Sequence, residues 1–252
     1  MPVYQLIPEV PLFPPVDQAE DDGLLAVGGD LTKERLLAAY RRGIFPWYEV
    51  GQPILWWSPD PRLVLFPEEL KISRSLRKVL RKEQFEIRFD SAFEDVIKSC
   101  ADVRTERGDE TWIIPEMQQA YTELHQEGYA HSVESWLEGE LVGGLYGISL
   151  GQCFFGESMF STTNDSSKVA LVALAEFSQQ VGIKLIDCQM TTPHLLSLGA
   201  REITREVFLK KLKKHLENPT IKELWDSGPK HSKYYTKLKW RNHERKKFFE
   251  FS

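Results

Sequence analysis

Three polar side chains near the ends of two apolar segments are candidates for acid–base chemistry. Glu157 lies among aromatic residues in FFGESMFS, and Asp187 and Gln189 end the apolar segment LIDCQ. A carboxylate in apolar surroundings is costly unless it is hydrogen-bonded or paired. Alternation along a strand puts Asp187 and Gln189 on one face, and neighbouring strands would bring Glu157 to the same cleft. Each residue alone could be a buried structural group, but three that converge at strand ends favour a functional site.

A thiol nucleophile is the competing interpretation of the same region. Cys188 follows Asp187 directly, and His194 lies close by in the sequence. Alternation turns Cys188 to the face opposite Asp187, however, and an isolated cysteine is usually a packed core residue. We therefore expect no catalytic role for Cys188. The three cysteines show no CxxC spacing, so the sequence predicts neither a disulfide framework nor a metal site.

Binding of a polyanion is a second chemistry that the sequence indicates. The segment ISRSLRKVLRKE has cations at the i, i+3, i+4, i+7, i+8 spacing of one helix face. These cations are Arg74, Arg77, Lys78, Arg81 and Lys82. A solvated helix face would give the same pattern. The acidic net charge of the chain, −5, makes a local phosphate-binding stripe the more informative hypothesis.

The composition limits the class of protein. Of the 252 residues, 42% are hydrophobic and 27% charged, which is typical of a folded globular chain. The sequence contains no apolar run of ~18 residues and no basic-then-apolar leader, so we expect neither a membrane span nor a secretory signal. Together with the few cysteines, these features predict a reduced protein of the cytoplasm.

Three parts can be distinguished along the chain. Residues 1–62 are rich in proline and contain one helix, DLTKERLLAAYRRG, capped by Asp30 and ended by Gly43, which predicts a small N-terminal α+β domain. Residues 63–217 form the predicted catalytic domain. Residues 218–252 form a tail with nine Lys or Arg against four Asp or Glu, whereas the body before it is acidic.

The catalytic domain is predicted to be one α+β sheet. The runs HSVESWL, ELVGGLYGISL and QCFFGESMFS predict an antiparallel meander. A helix from Ser166 to Val181, the strand KLIDCQ and a last helix from Arg205 to Leu216 follow it. Strands and helices in this order can be packed around one hydrophobic core.

Long blocks of the sequence resemble the leucyl/phenylalanyl-tRNA–protein transferase family. They are GLLAVGGDLTKERLLAAYRRGIFPW, ILWWSPDPR, AHSVESW, LVGGLYGISLGQCFFGESMFS, LIDCQ and HLLSLGA, in uninterrupted order from Phe13 to Leu216. The resemblance implies an acetyltransferase-like (GNAT-type) mixed sheet domain after the small N-terminal domain. It implies transfer of Leu or Phe, and Met as a further donor, from aminoacyl-tRNA to the α-amine of an N-terminal Arg or Lys. Acceptor proteins would thereby be marked for N-degron-dependent degradation.

The resemblance also implies roles for single residues. Asp187 would accept or relay the amine proton, with Gln189 aligned beside it and Glu157 orienting the substrates. An apolar slot for the donor side chain is expected from Leu145, Phe154, Met159, Leu174 and Ile186. The terminal adenosine is expected to lie against Tyr40, Trp47 and Trp112. Because the ester is already activated, no cofactor or metal is expected, and a monomer without a membrane partner would suffice.

Two alternatives stay open at this point. One is an acyl-CoA-dependent N-acyltransferase on the same fold, although the segment STTNDSSK has no glycine where such enzymes hold pyrophosphate on a Gly-rich loop. The other is a non-catalytic RNA-binding module that uses the basic helix and tail.

Overall fold

A computed structural model describes residues 3–106 and 112–225. The helices in these ranges are α1 (Lys33–Tyr40), α2 (Arg74–Lys82), α3 (Phe93–Glu106), α4 (Pro115–Gln126), α5 (Ser166–Val181), α6 (Pro193–Ser197) and α7 (Arg205–Leu216). The strands are β1 (Tyr4–Leu6), β2 (Leu24–Gly28), β3 (Phe45–Pro46), β4 (Leu55–Trp57), β5 (Arg62–Leu65), β6 (Glu86–Phe89), β7 (Ala130–Leu137), β8 (Glu140–Leu150), β9 (Cys153–Ser161), β10 (Leu185–Gln189) and β11 (Arg201–Ile203).

The strands form two sheets. The first has the order β1-β2-β4-β3 and builds an N-terminal lobe together with α1. The second, here called the main sheet, has the order β11-β5-β10-β9-β8-β7-β6. The small α+β lobe and the acetyltransferase-like mixed sheet predicted from the sequence are therefore confirmed. The exact division at residues 62 and 217 stays a prediction, and β5, which begins at Arg62, already belongs to the main sheet.

Both faces of the main sheet are buried. One core joins Tyr40 and Trp56 of the N-terminal lobe to Tyr146 and Phe155 of the sheet. The other core lies under α5, where Leu174 packs with residues such as Phe154 and Ile186. Helix α5 lies so close to the sheet that a Cβ at Gly143 would be 2.2 Å from the Ser166 hydroxyl oxygen. The main sheet is thus packed on both faces.

Most elements predicted from the sequence are observed. The meander consists of β7, β8 and β9, and α5 and α7 have the predicted bounds. The predicted cap of α1 is wrong: Thr32 is the N-cap, and the Asp30 carboxylate instead accepts the Thr32 N–H at 3.1 Å and the Arg35 guanidinium at 3.1 Å. Arg35, in the first turn of α1, is completely buried, and Asp30 supplies the carboxylate that pairs with its charge.

The sheet loses its regular pairing at one place. The parallel pairing of β9 with β10 runs from Leu185–Cys153 to Asp187–Phe155 and ends there. The register of β9 against β8 shifts at the same level, and β10 shifts against β5 between Asp187 and Gln189. Extra residues in a strand bend it and redirect side chains, and such bulges occur often beside active sites.

None of the helices in the described ranges is long and apolar enough to cross a membrane. The predicted basic tail falls outside the described residues from residue 226 onward.

Candidate active site

A cavity of about 450 Å³ opens where β9 and β10 separate. Its inner wall is apolar and its edge is polar and aromatic. The wall contains Leu145, Phe154, Met159, Leu171, Leu174 and Ile186, and the edge contains Phe45, Trp47, Trp112, Glu157, Gln189, Met190 and His194. A mostly apolar concavity with a few converging polar groups is typical of a small-ligand site.

Most of the predicted site residues lie at this cavity. All five residues predicted for the apolar slot line it, as do Trp47, Trp112, Glu157 and Gln189. Trp47 is 39% exposed, whereas Trp112 is buried. Asp187 and Tyr40 do not line the cavity, and the geometry changes what each of them can do.

Asp187 is enclosed behind the cavity. It is completely buried and forms a bidentate ion pair with Arg62, whose Nε and Nη2 donate to Oδ1 and Oδ2 at 2.8 and 2.6 Å. The guanidinium lies between the rings of Phe45 and Phe208, 4.7 Å from each centroid. Asp187 does not line the cavity and both of its oxygens accept hydrogen bonds from Arg62, so the acceptance or relay of the amine proton that the resemblance implies stays a prediction.

Gln189 connects Asp187 to the cavity. Its backbone N–H donates to Asp187 Oδ1 at 3.0 Å, and its φ of 62° is in the left-handed region. Its Nε2 donates to Glu157 Oε1 at 3.0 Å. With the amide nitrogen held by Glu157, the carbonyl Oε1 of Gln189 is the amide atom left for a substrate donor.

Glu157 is the only carboxylate among the described residues that line the cavity. Its Oε2 accepts the hydroxyl of Tyr121 at 3.0 Å, and the hydroxyl of Tyr121 is hydrogen-bonded to that of Tyr40. Burial raises the pKa of Glu157 to about 7, although these donors and Gln189 lower it. Its charge therefore changes near neutral pH.

Tyr40 acts from behind this carboxylate. Its ring is completely buried and does not line the cavity, so the contact with the terminal adenosine that the resemblance implies stays a prediction. Burial raises the pKa values of Tyr40 and Tyr121 well above their ordinary value, and both phenols stay protonated hydrogen-bond donors. Tyr40 thus contributes a hydroxyl to the hydrogen-bond network of Glu157 rather than an aromatic face.

Cys188 faces away from Asp187, as alternation predicts, but the side it faces is the cavity. Burial raises the pKa of its thiol strongly, and the nearby Asp187 charge adds to the effect. Since the thiolate is the nucleophilic form, this environment opposes a thiol mechanism.

The predicted basic stripe is present on the surface. Arg74, Arg77, Lys78, Arg81 and Lys82 are all exposed on α2, while Leu76 and Leu80 on the same helix are buried. Ser73 caps the helix by accepting the Leu76 N–H at 3.1 Å.

Two residues of the network were missed from the sequence. Arg62 stands directly before the apolar strand Leu63–Leu65, and a cation at the start of a buried strand is a usable signal for a carboxylate partner. Tyr121 gives no such signal, because it is one apolar position of an amphipathic helix.

The mixed sheet separates at two strand ends, and an amide and a carboxyl group lie there among the residues of an apolar cavity. The sequence model described as leucyl/phenylalanyl-tRNA protein transferase matches residues 64–213, and that of the N-terminal domain of the same transferase matches residues 29–60. The chain belongs to the leucyl/phenylalanyl-tRNA protein transferase family.

Relatives of the same name are similar over most of their length. The transferase of Syntrophobacter fumaroxidans is 62% identical over 226 residues, which cover 90% of this chain and 96% of the relative. That of Aromatoleum aromaticum is 66% identical over 200 residues, covering 79% and 84%. Among solved structures, an aminoglycoside acetyltransferase from a soil metagenomic sample, with sisomicin bound, has a TM-score of 0.37 and 17% identity, covering 63% of this chain and 99% of that chain.

Proposed function

We propose that this protein transfers Leu or Phe, and Met as a further donor, from aminoacyl-tRNA to the α-amine of an N-terminal Arg or Lys. Acceptor proteins would thereby enter N-degron-dependent degradation in the cytoplasm, where aminoacyl-tRNA is made. Membership of the family supports the reaction class. The observation that carries the finer proposal is the apolar cavity with one carboxylate at its edge.

The donor side chain fits the apolar part of this cavity. Phe154, Met159 and Ile186 supply walls without charge, so an unbranched apolar side chain can be buried there. One methylene more or less on the donor side chain in such a pocket changes the ratio of kcat/KM between two donors by roughly 10–200-fold. Leu, Phe and Met are therefore favoured over β-branched side chains, which place bulk beside the reacting carbonyl.

The acceptor amine meets the polar edge. Its nitrogen attacks the ester carbonyl, the new C–N bond forms, and the bond from the carbonyl carbon to the 3′ oxygen of tRNA breaks. The nitrogen loses one proton and the departing 3′ oxygen gains one. Gln189 Oε1 can accept an N–H of the amine and align its lone pair on the carbonyl. Glu157 favours a cationic residue nearby, which suits an N-terminal Arg or Lys.

Asp187 and Arg62 hold Gln189 in this position rather than taking part directly. The backbone bond from Gln189 to Asp187 fixes the left-handed turn, and Arg62 fixes Asp187. An amide carbonyl is a poor base, so positioning supplies much of the rate in this account.

The nucleic acid would contact the outside of the same chain. Trp47 and Trp112 at the cavity edge offer aromatic surface for the terminal adenosine. The exposed cations of α2 would neutralise phosphates of the acceptor stem without reading bases. A monomer would suffice for the proposed reaction.

The acyl-CoA alternative is less well supported. The N-terminus of α5, where such enzymes bind pyrophosphate, carries Asp165 paired with Lys168 at 2.5 Å. The Ser166 hydroxyl is used within the loop and donates to the Val142 carbonyl at 2.8 Å. A carboxylate at this helix end opposes a second anion. The RNA-binding module alternative gives no role to the buried polar network behind the cavity.

The experiment that tests the proposal follows labelled Leu from Leu-tRNA to a peptide that begins with Arg. The same peptide acetylated at its α-amine is the matched control. We expect a new peptide bond on the first peptide and no labelling of the second. Failure to label the free peptide, or equal labelling of both, would overturn the proposal.

A further inference from the structure

The segment of residues 218–225, here called the C-terminal strap, is bound to the main sheet at several points. Thr220 Oγ1 accepts the Gly151 N–H at 2.9 Å, and Asp90 Oδ2 accepts the Trp225 N–H at 2.7 Å. A Cβ at Gly128 would lie 1.9 Å from the Lys222 carbonyl oxygen, so this crossing requires glycine. The strap is therefore part of the folded body and holds Trp225 in one place.

The ring of Trp225 is inserted between the sheet and α5. It is 4% exposed and stacks on His131, with ring centroids 3.9 Å apart and planes within 2°. It also contacts Phe177 of α5, with centroids 4.7 Å apart. The indole N–H has no hydrogen-bond partner among the described residues, and an unsatisfied buried donor is costly. The position is thus suited to the shape of the ring rather than to its polarity.

Phe154 connects this ring to the cavity. The centroids of Trp225 and Phe154 are 5.8 Å apart, and Phe154 is a completely buried part of the cavity wall. Trp225 itself does not line the cavity. The strap therefore supports the wall from behind, and the family match, which ends at residue 213, does not include it.

We propose that Trp225 is a positioning residue for donor specificity: its ring holds Phe154 in place and thereby limits the depth of the slot for the donor side chain. The inference rests on the proposed function, because it concerns the same cavity. Protein interiors are close-packed, so removal of the indole lets Phe154 move back and leaves room for a larger donor side chain.

The test compares Leu-tRNA and Phe-tRNA as donors to one Arg-initiated peptide. In Trp225→Leu we expect the ratio of kcat/KM for Phe to that for Leu to rise about tenfold, the lower end of what one methylene of space in an apolar pocket changes. Trp225→Phe keeps a ring behind Phe154 and should raise the ratio less. The effect should be the same with Leu and Phe esters of adenosine, which lack the tRNA stem.

Leu212→Ala is the matched control. Leu212 is 1% exposed and belongs to the core on the other face of the sheet, so its loss lowers Tm without reaching Phe154. We expect its Phe-to-Leu ratio to equal that of the parent. An unchanged or lower ratio in folded Trp225→Leu would overturn the inference, and an unchanged ratio in Trp225→Phe would do so if the first variant does not fold. A parent protein that transfers neither amino acid would instead overturn the proposed function.

Discussion

Gln189 is held on two sides by acidic groups that differ in their surroundings. Asp187 is neutralised by Arg62 in a buried pair, while Glu157 lies at the cavity edge with uncharged hydrogen-bond donors. The first carboxylate is paired with a cation, whereas burial raises the pKa of the second to about 7. The two acids thus have different roles although the sequence presents them alike.

The titration of Glu157 predicts a pH dependence. Its pKa is raised by burial from 4.5 to about 7, so the ionised form that accepts bonds from Gln189 and Tyr121 appears as the pH rises through that value. We expect kcat/KM of the parent, divided by that of Glu157→Gln, to rise through about pH 7 and then level off. Division by the variant removes the titration of the acceptor amine. A ratio that is flat from pH 5 to pH 9 would contradict the role of Glu157.

The same shift affects stability with a defined sign. As the pH rises, Glu157 loses its proton near 4.5 in the unfolded chain but only near 7 in the folded chain. Its contribution to the free energy of unfolding therefore falls as the pH rises from 4.5 to about 7. Urea unfolding from pH 4.5 to pH 7 measures the free energy of unfolding of both proteins. It should decline less in Glu157→Gln than in the parent, because the variant lacks this titrating group.

Removal of the Asp187 carboxylate is expected to lower the free energy of unfolding strongly. Asp187→Ala leaves the Arg62 guanidinium, 1% exposed, without its partner, which costs about 3–5 kcal/mol for a buried pair. Glu69→Ala breaks the exposed Glu69–Arg201 pair, in which both side chains are about half exposed, and should cost less than about 1 kcal/mol. Urea unfolding of both variants measures the difference. Equal free energies of unfolding would show that the buried pair does not stabilise the fold.

At the scale of elements, the sequence patterns predicted the helices and the β-meander, which depend on residues close together in the chain. The alternation and turn signals of residues 130–161 predicted the meander, and the observed bounds of α5 and α7 agree with the predicted ones. The antiparallel pairing of β5 with β10 could not be predicted, because it joins segments more than 100 residues apart. Strict alternation failed at Gln189. Asp187 does not line the cavity, but after the register shift both Cys188 and Gln189 do.

The exposed cations of α2 are predicted to bind phosphates of the tRNA. Charge reversal of Arg74, Arg77 and Lys78 to Glu should weaken tRNA binding and reduce the slope of log K against log salt by roughly 0.7–0.9 for each lost phosphate contact. Acidic residues suit the first turns of a helix, so α2 should stay folded. Turnover of a Leu ester of adenosine should not change.

The matched control reverses three exposed lysines of α7, Lys210, Lys213 and Lys214, with the same change in net charge. It should bind tRNA with a slope closer to that of the parent. If both triple variants lose affinity and slope equally, the effect comes from net charge, and the specific role of α2 is refuted.

At the scale of the whole molecule, the site depends on contacts between three parts of the chain. The N-terminal lobe supplies Tyr40 and the edge residue Trp47, the main sheet supplies Glu157, Asp187 and Gln189, and the C-terminal strap supports the wall through Trp225. Glu157 and Gln189 could be anticipated from their position near strand ends, and the apolar residues of the cavity from the family resemblance. The supports behind it could not, since they are brought together only by tertiary packing.

The most direct measurement offers Leu-tRNA and acetyl-CoA together to one peptide with an N-terminal Arg and identifies the product by mass. The account predicts a product that carries Leu on its α-amine and no acetylated peptide. It also predicts that Gln189→Ala, with the cavity wall intact, forms the same product much more slowly. Acetylated peptide as the main product, or a folded parent protein that binds tRNA and forms no product, would contradict the account.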